Sequence, residues 1–555
     1  MTSPTIGVDT ETEAGHIWCV GVANDEYRHA TKDWWPLVER FQTENITPIF
    51  HNAKWDVAEF RREGAKWIRW EDTILKAHML GFHPLGLKAL TPIFTGVQLQ
   101  EYGTVVGHGK KAVPMDSIAP RVLDYCSLDA WAAYQCNKRF TLPPAWQTLY
   151  EDEKHITRIL MDMEAGGLPL DQGKLRHGRQ VVLRRMAELE RTLADCGIEE
   201  LTKTEAIARR FWKGKPKKVT TKSGRLSTKA AVMREHAGPD DKWLAAFIEW
   251  KQLSHFEGTY LAAWKGQESL HPSLNQTGAM TWRFSCSDPN LQNIPKSNLV
   301  SLYNLFVAPE GFTFVSLDYS QIELRVLANL TRDPAMLEAY LSGRDLHRET
   351  QDNLERMGLF ERHNITHPDK KRVFAKTINF GIAYGITAHG LAPRLNLPEA
   401  ACQPFIDGFY EAYPTVRPWQ QHQIATGEER GYVETFTGRP LYVPCVLAER
   451  GVLRIRGENQ CKNFPVQGGA AEIVKDGMRR APQYLRMQVH DELLYLVPKN
   501  EAPDYAQHLK ETLVDYRHDV PYTVDVKVGD SWGEIKALAD LWVDDLNNDD
   551  EEGVQ

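Results

Sequence analysis

The chain has 555 residues, 42% hydrophobic and 25% charged, a composition that suits a soluble globular protein with three or four cores. Its eight cysteines show no C-x-x-C spacing, its first residues form no signal peptide, and no run approaches the ~18 apolar residues of a membrane span, so we expect a cytoplasmic protein without disulfides or membrane segments. The net charge of −8 argues weakly against a nucleic-acid partner, but residues 537–555 alone hold seven acids and no Lys or Arg, which predicts a solvated tail.

Acidic side chains recur in the first 145 residues at spacings that can bring them together. Asp9 and Glu11 follow a predicted strand, Thr5–Asp9, and share a face at i and i+2. A second predicted strand, Ile46–Phe50, is followed by Asp56. A later helical pattern places Tyr125 and Asp129 at i and i+4, on one face. The candidate set is Asp9, Glu11, Asp56, Tyr125 and Asp129. Each piece alone is typical of surface charge, but the ordered set predicts a two-metal hydrolytic site whose phenol orients a water.

Two long helical patterns follow a boundary predicted at Pro143-Pro144. The first covers Ala145–Glu164 and ends at a pair of glycines. The second, Leu175–Leu193, follows Asp171, which is a favourable N-cap residue.

A basic stretch, 203–229, holds ten Lys or Arg against one acid. Its centre, Lys213–Arg225, is rich in Gly, Pro and Thr, which predicts a loop or hairpin. A flexible solvated loop would have this composition. The alternative is a clamp on duplex phosphates formed by Lys215, Lys217 and Lys218, which would give affinity without sequence preference.

A long polar segment, 281–295, shows neither helical nor strand periodicity. Such loops inside large enzymes are often functional. Arg283, Gln292 and Asn293 could donate hydrogen bonds to base edges in a minor groove and to phosphates.

Residues 312–325 begin as a buried strand and continue as a helix. Asp318 stands at the junction, where a carboxylate faces a cleft and can bind a hard cation such as Mg²⁺. Alternatively, Asp318 caps the helix that follows.

The segment Pro368–Gly385 is a predicted helix opened by proline. Arg372, Lys376, Phe380 and Tyr384 recur at i+4 and share a face. Two cations followed by two aromatic rings suit a nucleoside triphosphate, whereas a generic amphipathic helix separates rings from charges.

Residues 487–497 predict two strands around a tight turn, with Asp491 exposed at its tip. Aspartate is favoured in turns for structural reasons alone. Together with Asp318, it would complete a two-metal phosphoryl-transfer site.

These motifs resemble known families. The first region resembles the DEDDy 3′–5′ exonuclease domain that proofreads for DNA polymerases. The remainder resembles family A DNA polymerases in D-Y-S-Q-I-E-L-R at 318–325, R-x3-K-x3-F-G-x2-Y-G at 372–385 and V-H-D-E at 489–492. Further matches are T-K-x-G-x-x-S-T at 221–228, T-x-R-x-S with P-N-L-Q-N-I-P at 281–295, F-P-V-Q-G-G-A-A at 464–471 and V-G-D-S-W at 528–532. The family pattern often has Gly where Trp282 stands.

The resemblance implies an α/β and α+β multidomain fold. An RNase-H-like exonuclease domain would occupy residues 1–145, and a right-hand polymerase domain residues 146–555. Within the latter we expect a thumb near 180–268, a palm near 269–335 and 436–555, and fingers near 336–435.

The resemblance also implies roles for individual residues. Two Mg²⁺, for which Mn²⁺ can substitute, would be held by Asp318 and Asp491 with the Tyr319 carbonyl, and two more by Asp9, Glu11, Asp56 and Asp129. Lys376 would also serve catalysis. The incoming dNTP would meet Gln321, Glu323, Arg372, Lys376, Phe380 and Tyr384. The DNA contacts would be Arg283, Asn293, Gln467, His490, Lys215, Lys217 and Lys218.

Two alternatives stay open at this point. A single-subunit RNA polymerase shares the palm but normally lacks the acid at Glu323 and the phenyl ring at Phe380. A nuclease with a polymerase-like DNA-binding scaffold would not need Asp318, Asp491 and Lys376 together. We therefore expect a monomeric DNA polymerase that binds primer–template DNA and dNTPs. The compact arrangement resembles bacteriophage replicative enzymes, for which a helicase or primase is a possible partner.

Overall fold

The computed structural model describes residues 4–66, 69–107, 112–215, 218–239, 241–515 and 517–537. Residues 4–139 form an α/β unit, called the N-terminal unit below. Its strands are β1 (Thr5–Glu13), β2 (His16–Ala23), β3 (Arg28–Thr31), β4 (Thr47–Phe50) and β5 (Glu71–Asp72). Its helices are α1 (Trp35–Thr43), α2 (Ala53–Arg62), α3 (Thr73–Met79), α4 (Leu87–Thr95), α5 (Tyr102–Val105) and α6 (Ala119–Arg139).

The sheet of this unit has the order β3-β2-β1-β4-β5, with β1 antiparallel to β2 and parallel to β4. Helix α6 packs directly on β1 and β2. Glycines make this close approach possible, because a Cβ at Gly7 or Gly21 would overlap the carbonyl oxygens of Ala130 and Cys126. The predicted first strand continues to Glu13 because pairing with β2 persists, with a register shift between Glu11 and Thr12.

A helical connector leads to a second helical region. The elements are α7 (Gln147–Gly166), β6 (Leu168–Pro169), α8 (Gln172–Asp195), α9 (Thr204–Trp212), α10 (Ala230–Glu235), α11 (Leu244–Phe256), β7 (Ser269–Leu270), β8 (Ser273–Asn275) and β9 (Ser285–Ser287). The two predicted long helices are present, each with slightly different bounds. Asp171 caps α8 as predicted, accepting hydrogen bonds from the backbone N–H groups of Gly173 and Lys174.

The next strand opens a long helical segment. The elements are β10 (Phe312–Tyr319), α12 (Ile322–Thr331), α13 (Pro334–Leu341), α14 (Leu346–Arg356), α15 (Leu359–Arg362), α16 (Pro368–Ala383), α17 (Ala388–Leu395), α18 (Glu399–Ala412) and α19 (Val416–Arg430). Helix α16 begins at Pro368, as predicted.

The chain then returns to β10 to complete a second sheet. The elements are β11 (Tyr432–Glu434), β12 (Pro440–Tyr442), α20 (Val452–Arg480), β13 (Leu485–Val489), β14 (Glu492–Pro498), α21 (Ala502–Leu513), β15 (Val524–Gly529) and β16 (Lys536–Ala537). This C-terminal sheet has the order β13-β14-β10-β15-β16, so β10 lies at its centre. Short 3₁₀ turns occur at Met115–Ile118, Pro144–Trp146, Leu291–Asn293, Tyr303–Leu305, Pro444–Leu447 and Trp532–Glu534, and a π-helical turn at Glu257–Ala262.

One hydrophobic cluster joins the N-terminal unit to the rest of the chain, and we call it the junction cluster. Its buried members are Leu75, Met79, Leu142, Trp146, Leu149, Tyr150, Trp282, Val433, Leu441, Val443, Val446, Cys461 and Phe464. They come from α3, the connector, the β8–β9 loop, the β11–β12 hairpin and α20. Among the residues that the structure describes, no helix has the length and apolarity to cross a bilayer.

Candidate active sites

The centre of the C-terminal sheet brings two aspartates to one end of neighbouring strands. In register, Asp318 of β10 is opposite Glu492 of β14 and Asp525 of β15. The backbone N–H of Tyr319 donates to the Asp491 carbonyl oxygen at 3.1 Å, which fixes the β13–β14 turn beside β10. Asp318 is exposed, as predicted, whereas the Asp491 side chain, predicted to be exposed at the turn, is only 31% exposed.

The structure contradicts the alternative role of Asp318 as a helix cap. The N-cap position of α12 is occupied by Gln321, whose φ is +52°. Asp318 lies three residues earlier, within the strand, so its carboxylate is available to the cleft.

Acidic neighbours surround these two aspartates. Burial raises the pKa of Asp491 to about 7; Arg283 lowers it, and the charges of Glu323 and Asp318 raise it. Although Asp318 reaches solvent, partial desolvation of its carboxylate by the surrounding protein, followed by the charges of Glu492 and Asp525, raises its pKa to about 6. A carboxylate cluster with so little compensating positive charge is suited to a divalent cation.

A buried polar chain lies next to the aspartates. Glu323 is 3% exposed and accepts hydrogen bonds from the Arg283 guanidinium and the Tyr384 hydroxyl. Gln467 interacts with the same hydroxyl. The second contact of Arg283 is with Asp491, at 4.0 Å between Nη2 and Oδ1. In this structure Arg283 therefore binds the acids of the site, while its predicted DNA contact stays a prediction.

Helix α16 presents its four predicted residues along one face. Arg372 forms an ion pair with Asp345 at 2.6 Å, and Lys376 has no hydrogen-bond or ion-pair partner among the described residues. The Phe380 ring lies 5.4 Å from His347 and 6.5 Å from Tyr384, between ring centroids. Both cations are exposed and both rings half-buried, so the face leads from solvent into a cleft.

The residues predicted to contact DNA divide into two groups. Asn293 and His490 are exposed, and His490 has a φ of +54° at the turn. The prediction for Gln292 is wrong, because its amide is buried and donates to the carbonyl oxygen and side chain of Gln488 at 3.2 and 3.0 Å. A buried and satisfied amide has no free donor for a base edge. Gln321, predicted to meet the incoming dNTP, also has internal partners, Asp345 and Tyr340, each at 3.2 Å.

The basic stretch begins with helix α9, and its later part contains a tight turn closed by a bridge between Thr220 and Leu226. Lys218 is exposed, as predicted for a phosphate contact, and so are Lys222 and Arg225. Lys215 is different, because its ammonium pairs with Asp241 at 2.7 Å and lies 4.3 Å from the Phe211 ring. Lys215 thus has an internal role that the composition could not reveal, and Lys217 lies outside the described residues.

The N-terminal unit brings its predicted acids together. Asp9 and Glu11 lie in β1, Asp56 in the first turn of α2, and Tyr125 and Asp129 in α6. Asp56 is held in place by the backbone N–H and hydroxyl of Thr10, at 3.1 and 2.7 Å. Because α6 packs so closely on β1, one helical face covers the acidic pair on the strand.

Mutual repulsion and burial govern the titration of this cluster. Burial, then Asp129 and Glu11, raise the pKa of Asp9 well above its ordinary value. The pKa of Glu11 is raised to about 8 by burial and Asp129, and that of Asp56 to about 7, mainly by burial. One carboxylate oxygen of Asp9 and one of Asp129 are buried with no hydrogen-bond partner among the described residues. These orphaned oxygens fit a cation-binding role.

Lys88 is the residue of this site that sequence analysis missed. From α4 its ammonium donates to the Tyr125 hydroxyl at 2.8 Å and to the Asp129 carboxylate, and it lies 4.5 Å from the Tyr125 ring. A single lysine at the start of an apolar helix carries no spacing signal, so only the fold could identify it.

Neither site is a complete protein cage. Within the described ranges, no three His, Cys, Asp or Glu side chains form a ready-made metal cluster.

Two protein-family models match the chain. Residues 175–534 match the model of DNA polymerase family A, and residues 2–142 match a 3′-5′ exonuclease family. The chain is 35% identical over 422 residues to the thermostable DNA polymerase I of Thermus aquaticus, covering 70% of this chain and 48% of that protein. It is 32% identical over 531 residues to DNA polymerase I of Chloroflexus aurantiacus, covering 88% and 55%.

The chain thus spans about half the length of the curated relatives that it matches. The fold is also similar to a solved structure, the POL domain of Pol1 from M. smegmatis in complex with DNA primer-template and dNTP. The TM-score is 0.77 at 24% identity, with 96% of both chains covered.

Proposed function

The chain belongs to DNA polymerase family A and carries a 3′-5′ exonuclease domain, and on this basis we propose that it extends a primer 3′ end along a DNA template with deoxynucleotides. A second activity, in the N-terminal unit, removes nucleotides from a 3′ end. The observation that carries the proposal is the pair Asp318 and Asp491 at adjacent strand ends, next to a helix with an exposed lysine, Lys376.

In the polymerase site the chain's residues would bind and orient the reactants. Lys376, exposed on α16, would bind the triphosphate of the incoming nucleotide. Arg372 would also bind the triphosphate once its ion pair with Asp345 is broken. The half-buried rings of Phe380 and Tyr384 would border the base and sugar. Asp318 and Asp491 would hold divalent cations, Mg²⁺ first, which when bound neutralise the charge that develops on the transferring phosphate.

In the exonuclease site the acids would bind cations and the phenol would orient water. Asp9, Glu11, Asp56 and Asp129 form the donor set, with two orphaned oxygens in support. The Tyr125 hydroxyl, positioned by Lys88, would align a water with the scissile phosphate.

The proposed partners are primer–template DNA and dNTPs. The structural neighbour was solved with a DNA primer-template and dNTP, and the exposed residues Asn293, His490 and Lys218 lie where a duplex contact would be accessible. The relatives described above are bacterial, so a role in bacteriophage genome replication stays a prediction.

The test is primer extension by Asp318→Asn and Asp491→Asn. Each should lose ~10³-fold or more of the extension rate, the scale for removing a metal ligand, while degradation of single-stranded DNA continues. Asp525→Asn is the matched control, because Asp525 lies opposite Asp318 but its carboxylate accepts a hydrogen bond from Ser320 at 2.7 Å. Near-normal extension by either aspartate variant would refute the assignment.

A further inference from the structure

The backbone at Trp282 has a conformation that bulky residues rarely adopt. Its φ is +61°, in the left-handed region, yet the side chain is only 1% exposed. Such a conformation is unfavourable for a residue other than glycine and persists only where the surroundings impose it. Strain of this kind, held by packing, often marks a functional position.

The Trp282 ring is held from both sides of the junction cluster. The ring of His78, from α3 of the N-terminal unit, lies 4.2 Å away between centroids. From the polymerase side, Arg439 and Lys475 place their cations 4.4 and 5.2 Å from the ring centroid. These cations are fixed in turn by Glu153 of the connector, which binds Arg439 at 2.9 Å and Lys475 at 2.8 Å.

His78 contacts Trp282 through its ring and makes no hydrogen bond with its nitrogens among the described residues. Both nitrogens are buried. Burial also lowers its pKa to about 3, so the imidazole is neutral. Its principal interactions are the contacts with the rings of Trp282 and His83.

The residue that follows Trp282 belongs to the polymerase site. Arg283 donates to Glu323 and approaches Asp491 within 4.0 Å. Because a planar peptide links neighbouring Cα atoms, holding the backbone of Trp282 restricts the position of the Arg283 Cα, from which the Arg283 side chain reaches the acids. We infer that Trp282 is a positioning residue, clamped by His78 of the exonuclease unit, that aims Arg283 at the polymerase acids and so couples the two units.

A purely structural role for Trp282 leads to a different expectation. Loss of a buried indole would then lower stability but leave the geometry of Arg283 unchanged. If Trp282 instead positions Arg283, substituting Trp282 lowers the rate of synthesis only while Arg283 is present. The two roles differ in how substitutions at positions 282 and 283 combine.

The experiment is a double-mutant cycle on single-nucleotide incorporation, with kcat and KM for dNTP measured separately. Trp282→Gly removes the ring and suits the positive φ. We expect it to lower kcat about 10-fold, with little further loss when added to Arg283→Ala. Trp146→Leu is the control, because it removes another buried indole from the same cluster but leaves the His78, Arg439 and Lys475 contacts of Trp282 in place, and it should leave kcat within about 2-fold.

A second double-mutant cycle mutates His78 of the exonuclease unit instead of Trp282. It tests the same inference if the Trp282→Gly variant does not fold. His78→Ala should lower kcat for synthesis, His78→Phe should restore it by keeping a ring, and neither should add to Arg283→Ala. If the His78 or Trp282 substitution lowered kcat by the same factor in the wild-type and the Arg283→Ala background, the inference would be overturned.

This inference rests on the proposed function, and the two can fail separately. If the wild-type chain does not extend primers, the proposed function is wrong. If it does, and the effects at positions 78, 282 and 283 are additive, only the coupling is wrong.

Discussion

At the scale of single residues, Glu323 is the clearest candidate for selecting the sugar. Its buried carboxylate lies between Arg283 and Tyr384, beside the polymerase aspartates. We expect Glu323→Ala to admit ribonucleotides, with rejection falling by about 10²–10³-fold, because space for a 2′-hydroxyl is opened.

The measurement is competition of each rNTP against its dNTP. Glu323→Gln keeps the size of the side chain and should retain most of the rejection, and Phe380→Tyr should leave it unchanged. Unaltered rejection in Glu323→Ala would remove Glu323 from the sugar pocket.

Lys88 allows a residue-scale prediction for the exonuclease site. Its ammonium compensates the acid cluster and holds the Tyr125 hydroxyl. Lys88→Met should therefore slow degradation of single-stranded DNA by about 10–100-fold and leave primer extension intact. Lys76→Met is the matched control, since Lys76 pairs with Glu71 and Asn137 away from the acids. Degradation at the wild-type rate would contradict a role for Lys88.

The site residues differ in how far sequence could identify them. Asp318, Asp491 and the acids near Asp9 belong to ordered motifs, so their convergence could be predicted. Lys88 acts on Asp129, 41 positions away, and Lys215 pairs with Asp241, 26 positions away. Such partners are brought together by tertiary packing, which leaves no periodicity in the sequence.

At the scale of elements, the turn between Thr220 and Leu226 is the candidate DNA clamp. Replacing its exposed Lys218, Lys222 and Arg225 with Gln should weaken duplex binding equally for all sequences. The slope of log K against log salt should flatten by up to about 0.9 for each DNA phosphate that the variant no longer neutralises.

Lys215→Gln provides the control for this turn. Because its partner is Asp241, it should lower the melting temperature and leave the salt slope unchanged. An unchanged slope in the triple variant would instead favour a solvated loop.

Element boundaries were predictable only where local chemistry sets them. The cap at Asp171 and the proline at the start of α16 act within one turn, and both predictions are confirmed. Strand β1 extends past its predicted end because pairing with β2 continues, an interaction that periodicity in one segment cannot show. The family matches confirm an exonuclease domain and a polymerase domain, while the thumb, palm and finger boundaries stay predictions.

At the scale of the whole molecule, both acid clusters link stability to pH and to cations. The raised pKa values, about 6 and 7 for Asp318 and Asp491 and about 8 for Glu11, exceed their ordinary values. Between about pH 4 and pH 8 the folded state therefore holds protons that the unfolded state has released, and stability falls as pH rises.

Bound Mg²⁺ should offset this loss because it requires the deprotonated carboxylates. We expect the difference in melting temperature between Mg²⁺ and EDTA to grow from about pH 6 to about pH 8, measured by calorimetry. Asp318→Asn should reduce that growth, and a difference independent of pH would contradict the assignment of these acids as ligands.

The junction cluster has a practical consequence for dissecting the chain. A fragment that begins at residue 146 would lack Leu75, Met79 and Leu142 of this cluster, and would expose the face of Trp282 that the His78 ring covers. An exposed apolar patch of this kind promotes self-association. Such a fragment should therefore need polar replacements on the newly exposed face to stay monodisperse, whereas the 555-residue chain with an inactivated exonuclease site should not.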